Sequence, residues 1–208
     1  MVKRQSPSVR RTQAERSEST RRALMDAGHR LFAERGYGGA AREAIVAEAG
    51  VTRGALQHHF GDKLGLFQAV YEEVEEQMVA AVAGAAMASA AEGALAMLRT
   101  GCQAYLEAVL DPAVQRICAL DGPAVLPSDV RQAITDRYAL DVVRHAVQEA
   151  MDNGEVTEGP VEPLSRVLLA GIVAAAQFVA TAEDHHRARD QAGRTIDILL
   201  DSLALARP

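Results

Sequence analysis

A short segment near residue 55 carries side chains that suit contacts with nucleic-acid bases. Arg53, Gln57 and His58 supply hydrogen-bond donors within six residues, and the apolar Leu56 and Phe60 lie among them. On a helix this spacing turns the apolar side chains toward a core and leaves the polar ones outside. Such donors at the start of a helix can hydrogen-bond the base edges in a major groove. The segment therefore predicts contact with double-stranded DNA.

Around this segment, residues 41–60 predict a helix-turn-helix. A first short helix covers residues 42–49, and Gly50 supplies the left-handed turn that follows it. Thr52 can cap the second helix, whose side chains face the DNA. Gly54 keeps the start of that helix slim enough to enter a major groove, which is about 12 Å wide.

The charge distribution agrees with DNA contact by one end of the chain. The whole chain has a net charge of −6. Residues 1–63 carry 12 Lys or Arg and 7 Asp or Glu, a net charge of +5, and the rest carries 10 and 21, a net charge of −11. A basic front and an acidic remainder indicate that the front half faces phosphates.

Helices alone are predicted for the whole chain. Aromatic residues make up only 4%, apolar residues recur at helical spacing, and no stretch alternates as a strand does. Residues 1–17 predict a disordered basic arm, helix begins near Ser19, and Gly36 ends that helix. Residues 122–127 predict a loop because they contain Gly122, Pro123 and Pro127. We expect an all-α fold of about nine helices.

Several short motifs between Thr20 and Val70 are specific in combination. They are Thr20-Arg21, the run Leu31-Phe32-Ala33-Glu34-Arg35-Gly36-Tyr37, Ile45, Ala49-Gly50-Val51, Arg53-Gly54-Ala55-Leu56, His59-Phe60 and Lys63. Together they resemble the N-terminal domain of TetR/AcrR-type transcriptional regulators over about a quarter of the chain.

This resemblance implies a homodimer whose N-terminal helices bind operator DNA and whose C-terminal helices bind a small ligand and dimerise. It implies a repressor that a small apolar or amphipathic inducer releases from DNA. The expected parts are the arm 1–17, a DNA-binding domain 18–64 and a ligand-binding and dimerisation domain 65–208. The expected DNA contacts are Arg42, Thr52, Arg53, Gln57, His58, His59 and Lys63.

The chain departs from the family pattern at the start of the first short helix. Ala40 and Ala41 stand where Thr or Ser is usual, which removes an N-cap worth about 1 kcal/mol. Arg42 stands at a usually apolar position and can replace the lost phosphate contact. Gln57 stands where Tyr is frequent, and Gln can hydrogen-bond adenine.

Apolar stripes in the C-terminal part predict a dimer interface and a ligand pocket. The helix near residues 160–181 is apolar almost all round, and the last helix carries a leucine stripe. The expected interface comprises Leu168, Gly171, Ala175, Phe178, Ile196, Leu199, Leu200 and Leu203. The expected pocket, on inward-looking stripes, comprises Cys102, Tyr105, Tyr138, His145 and Met151.

Two alternatives stay open: the same DNA-binding fold gated by a protein partner, and a helical enzyme or carrier without DNA binding. No GxSxG, P-loop or HExxH motif indicates an enzyme. The pairs His58-His59 and His185-His186 are poor chelates, so neither a metal nor a cofactor is expected. Without an apolar signal segment or a span of about 20 apolar residues, we expect a cytoplasmic protein with no membrane contact.

Overall fold

The computed structural model describes residues 12–204, which are helical over most of their length. Nine helices follow one another in this range: α1 (Gln13–Gly39), α2 (Arg42–Glu48), α3 (Arg53–Phe60), α4 (Lys63–Ala86), α5 (Ala94–Ala108), α6 (residues 112–125), α7 (residues 128–152), α8 (Val161–Thr181) and α9 (His185–Leu203). A 3₁₀ segment, Met87–Glu92, links α4 to α5. Both α6 and α7 contain a π-helical stretch, Gln115–Asp121 and Asp136–Leu140. The predicted all-α fold is confirmed.

Two segments that were expected to be irregular are helical. Thr12 and Glu15 form a capping box, in which each side chain accepts a hydrogen bond from the other residue's backbone N–H. Residues 13–17 therefore belong to α1 and not to a disordered arm, whereas residues 1–11 lie outside the described range. The predicted loop at 122–127 is wrong for Gly122–Val125, which is helical. Within α6, Pro123 comes just after the π-helical stretch Gln115–Asp121.

Gly36 interrupts α1, as the sequence predicts. Its φ of +68° lies in the left-handed region that glycine adopts without strain. The chain then continues as a short turn to Gly39. Just beyond the break, Tyr37 packs with Phe32 and Phe67. The centroid of the Phe67 ring lies 5.1 Å from that of Phe32 and 5.1 Å from that of Tyr37. This aromatic cluster fixes the end of α1 against α4.

The hydrophobic core of the N-terminal helices extends into the C-terminal part. Phe32, Leu56 and Phe67 are fully buried in one cluster that also contains Ile117 of α6 and Ile134 of α7. A second cluster joins α5, α8 and α9. Consequently α6 packs against α1 and α4, across the expected boundary at residues 64 and 65.

By length and composition alone, α8 could cross a membrane. Its most apolar 18-residue window has a mean hydropathy of 1.7, and 33% of that window is buried inside the chain. Because only a third of this window is buried, much of the apolar surface of α8 faces outward in the single chain. The core helix of a soluble protein can have the same length and hydropathy.

Candidate nucleic-acid interface and ligand cavities

The turn between α2 and α3 has the geometry that the sequence predicts. Gly50 has a φ of +65°, and the Val51 N–H donates to the Val46 carbonyl at 3.0 Å. Thr52 caps α3, because its hydroxyl accepts a hydrogen bond from the Ala55 N–H. At the other helix, Ala41 is the N-cap residue of α2 and provides no side-chain hydrogen bond. The structure thus lacks a side-chain cap at the start of α2, as inferred from the sequence.

One face of α3 anchors it to the protein. Leu56 is fully buried, and Phe60 packs at the edge of the same core. The Arg21 guanidinium of α1 lies over the Phe60 ring, 5.4 Å from its centroid. These contacts hold α3 against α1 and α4, so its opposite face has a fixed orientation.

The exposed surface of α3 and its N-cap presents the predicted DNA-contacting side chains. Thr52, Arg53, Gln57 and His58 are exposed, and His59 is partly buried beside His58 and Phe60. Because the buried Leu56 fixes the rotation of the helix, the exposed donors form one patch. The side chains of this patch can donate hydrogen bonds.

The two arginines of this region differ in their surroundings. Arg42 is exposed at the first position of α2. Arg53 Nη2 pairs with Glu43 Oε1 at 3.0 Å, and both side chains are more than half exposed. Exposed pairs of this kind contribute about 0–1 kcal/mol, so a phosphate can displace Glu43 at little cost.

Lys63 has an intramolecular role that the sequence did not indicate. Its Nζ donates to the Tyr37 carbonyl at 2.9 Å and lies 4.1 Å from the centroid of the Tyr37 ring. The lysine therefore ties the start of α4 to the turn after α1. Tyr37 is 26 residues away in sequence, and no local pattern marks the pair.

Asp121 of α6 holds the same turn from the other side. Its Oδ2 accepts a hydrogen bond from the Tyr37 N–H at 2.6 Å. A Cβ placed on Gly36 would lie 3.1 Å from Asp121 Oδ2 and 3.4 Å from Arg116 Nε, so α6 packs closely on the break in α1. Sequence reasoning missed this residue, since the two partners are 84 positions apart.

Two cavities lie among the C-terminal helices. The first, the Glu75 cavity, has a volume of about 580 Å³ and is lined by residues of α4, α5, α6, α7 and α8, including Tyr71, Glu75, Tyr105 and Cys118. The second, the Cys102 cavity, has a volume of about 770 Å³ and lies among α4, α5, α7, α8 and α9. Tyr105 lines both cavities and forms part of the wall between them.

The structure divides the predicted pocket residues. Cys102, Tyr105 and His145 line the Cys102 cavity, although His145 is exposed rather than inward. Tyr138 lines neither cavity, because it packs at the edge of the N-terminal core and its hydroxyl donates to Glu72 Oε1 at 3.0 Å. Met151 is buried in a separate apolar cluster and also lines neither.

Burial raises the pKa of several groups at the cavity walls. It raises the pKa of the Glu75 carboxyl, and hydrogen bonds from the Tyr71 hydroxyl and the Cys118 thiol oppose that shift. It raises the pKa of Cys102 to about 12 and that of Cys118 well above its usual value. Both thiols are therefore neutral near pH 7 and are poor nucleophiles.

The predicted dimer-interface residues also divide into two groups. Phe178 and Leu199 are 51% and 46% exposed, and Leu168, Gly171, Ala175 and Leu203 are partly buried. Ile196 and Leu200 belong instead to the core of the single chain, where they are 5% and 1% exposed. Two exposed residues that the sequence reasoning missed, Val167 and Ile198, lie on the outward faces of α8 and α9.

Comparison with known proteins relates both parts of the chain to one family. Residues 24–70 match "Bacterial regulatory proteins, tetR family", and residues 95–203, more than half of the chain, match "Tetracyclin repressor-like, C-terminal domain". Among curated proteins, the repressor BepR of Brucella suis is 47% identical over 62 residues, which cover 30% of this chain and 29% of that protein. The chain thus aligns with less than a third of BepR's length.

Solved structures match over nearly the whole chain. A TetR-family regulator from Pectobacterium atrosepticum is 31% identical, covers 95% of this chain and 100% of its own, and has a TM-score of 0.82. RolR, solved with resorcinol, is 17% identical, covers 92% of this chain and 90% of its own, and has a TM-score of 0.68, a likeness of fold. With more than half of its length matched to a family domain and 31% identity to a fully aligned TetR-family structure, the chain belongs to the TetR family of bacterial regulatory proteins.

Proposed function

We propose that this protein is a sequence-specific DNA-binding transcriptional regulator, acting as a homodimeric repressor that a small molecule releases from its operator. The observation that carries the proposal is the exposed surface of α3 and its N-cap, where Thr52, Arg53, Gln57 and His58 are exposed while Leu56 anchors the helix in the core. A helix presented in this way can enter a major groove, with Gln57 and Arg53 directed at base edges. In this proposal residues 18–64 form the DNA-binding domain.

Phosphate contacts come from the borders of this surface. Arg42, Thr52 and His59 lie around the exposed face of α3 and have the chemistry to hydrogen-bond phosphates. We include Lys63 at this border, with the added condition that its bond to the Tyr37 carbonyl must loosen or be shared for Nζ to reach DNA. Each added cation makes binding more sensitive to salt.

A homodimer supplies the second recognition helix. Two such helices must lie about 34–36 Å apart to enter successive major grooves. The exposed apolar side chains of α8 and α9, among them Val167, Phe178, Ile198 and Leu199, support an interface made from these two helices of each protomer. Large exposed apolar residues on neighbouring helices are typical of such interfaces.

The cavities support control by a small molecule. Their volumes of about 580 and 770 Å³ suit small organic ligands, and RolR, which has the same fold, was solved with resorcinol. Helix α6 offers the connection to DNA binding, because Cys118 lines the Glu75 cavity and Asp121, one turn later, bonds to Tyr37. A ligand that moves α6 changes the position of α1 and the spacing of the two recognition helices.

The proposal is tested with the full chain and a fragment carrying its own promoter region. Fluorescence anisotropy at low salt should give saturable binding that is stronger than for a scrambled duplex and falls steeply with salt. The matched variants are Gln57→Ala on the exposed face of α3 and Gln191→Ala, also exposed but on α9. Only Gln57→Ala should reduce the preference for the promoter fragment over the scrambled duplex. Equal affinity for every duplex contradicts the proposal, and binding that no small molecule weakens favours gating by a protein partner.

A further inference from the structure

One carboxyl group at the wall of the Glu75 cavity is buried without a cation beside it. Glu75 of α4 is 8% exposed and, within residues 12–204, takes part in no ion pair. Two arginines line the same cavity, but Arg166 pairs with Asp136 and Glu162. The other, Arg131, donates from Nε to the Leu126 carbonyl at 3.4 Å. Burying a charge without a counter-charge is strongly unfavourable, so this carboxyl either binds a proton or requires a cation.

The groups that face Glu75 are neutral, with one exception. Tyr71 on the same helix and Cys118 on α6 are within hydrogen-bonding reach, and Tyr105 of α5 lines the cavity nearby. Burial raises the pKa of all three, so all three stay neutral near pH 7. Among the described residues of the cavity wall, Arg131 of α7 is the cation without an ion pair, and α8 adds the neutral Gln177.

We propose that the Glu75 cavity binds a small, mainly apolar molecule carrying a protonated amine, which pairs with the Glu75 carboxylate. The proposal rests on the proposed function, in which this cavity holds the inducer, and it names the chemical class of that inducer. Apolar side chains such as Met78, Leu169 and Val173 line the same cavity as the carboxyl and suit a hydrocarbon body. The rings of Tyr71 and Tyr105 add aromatic faces that attract cations.

Pairing with a cation makes the affinity depend on pH. The pKa of Glu75 is raised in the free protein by burial, and a bound ammonium group lowers it. Below the free-state pKa, the carboxyl must release its proton before the amine can pair with it. The affinity for an amine therefore rises as the pH increases through that pKa and levels off above it. A neutral ligand of the same shape lacks this dependence.

The test uses isothermal titration calorimetry on the full chain without DNA. The three probes are 4-phenylbutylamine, 4-phenyl-1-butanol and 4-phenylbutyrate, which differ in charge and share one hydrocarbon body. We expect the amine to bind at least about tenfold more tightly than the alcohol at about pH 8, and its advantage to shrink toward about pH 5. Glu75→Gln should lower amine affinity about tenfold or more and change alcohol affinity less than about threefold.

The control variant is Glu76→Gln, which removes an exposed carboxylate at the next position of α4 and should leave amine binding unchanged. If Glu75→Gln fails to fold, the pH dependence of the wild-type protein decides the question by itself. Equal binding of the amine and the alcohol, preferential binding of the carboxylate through Arg131, or no binding of any probe overturns the proposal. DNA binding is measured separately without ligand. An absence of sequence-specific binding would contradict the proposed function, whereas the calorimetry would still decide whether the cavity binds the amine.

Discussion

The hydrogen bond from the Tyr37 N–H to Asp121 connects the cavity helix α6 to the break in α1, and it can be removed by Asp121→Ala. Gly36 has non-helical backbone angles and breaks α1 immediately before Tyr37, and the Tyr37 N–H donates to Asp121 across this break. The acceptor is a carboxylate oxygen at 2.6 Å in a partly buried position. Removing it leaves that N–H without its partner.

The expected loss follows from this geometry. A hydrogen bond to a charged acceptor contributes about 1.5–3 kcal/mol to stability. A loss of about 2 kcal/mol in a chain of this size lowers Tm by roughly 4–8 °C. Asp121→Asn keeps an oxygen that can accept from Tyr37 but removes the charge, so its effect should be about half as large.

Urea unfolding followed by circular dichroism measures this free energy, and hydrogen exchange of the Tyr37 amide reports the contact directly. The matched control is Asp129→Ala, which removes an exposed aspartate near the start of α7 and should change stability by less than about 1 kcal/mol. If Asp121→Ala unfolds at the same urea concentration as the wild type and the Tyr37 amide exchanges no faster, the reasoning is refuted.

Four further substitutions test the remaining contacts. Thr52→Ala removes the N-cap of α3 and should lower the free energy of unfolding by about 1 kcal/mol in urea titrations; an unchanged midpoint would contradict the cap. Lys63→Met removes the hydrogen bond to the Tyr37 carbonyl and should lower the free energy of unfolding by about 1.5–3 kcal/mol. A change in DNA affinity without a change in stability would instead assign Lys63 to phosphate binding. Gln57→Ala should cost about 1–3 kcal/mol at one operator base pair in competition assays, and a uniform loss across all sequences would exclude base contact. Phe178→Glu places a charge on the apolar face of α8 and should yield monomers in sedimentation; an intact dimer would place the interface elsewhere.

The sequence predicts the helix-turn-helix well because its signals are local. The positive φ of Gly50, the cap from Thr52 and the burial of Leu56 each depend on residues within one or two helical turns. The missing cap at Ala41 could be inferred for the same reason. The exposed face of α3 follows from the helical period once Leu56 is assigned to the core.

The cavities were predicted less well, because periodicity indicates a face of a helix but not what that face meets. Tyr138 and Met151 were expected at a pocket, yet Tyr138 packs at the edge of the N-terminal core and Met151 packs in a separate cluster. Conversely, Glu75 lies at helical spacing from the buried Tyr71 and Met78, but a carboxylate side chain ordinarily indicates exposure. Its carboxyl is buried because helices from several parts of the chain enclose it.

The sequence by itself therefore determined most of the helices, the cap of α3 and its donor-rich surface. The tertiary structure alone decided that Asp121 and Lys63 meet at Tyr37, and that Ile196 and Leu200 face the core while Ile198 and Leu199 face outward. The physical reason is separation along the chain. Caps and helical periods act over a few residues, whereas these contacts form only when the remaining helices have packed.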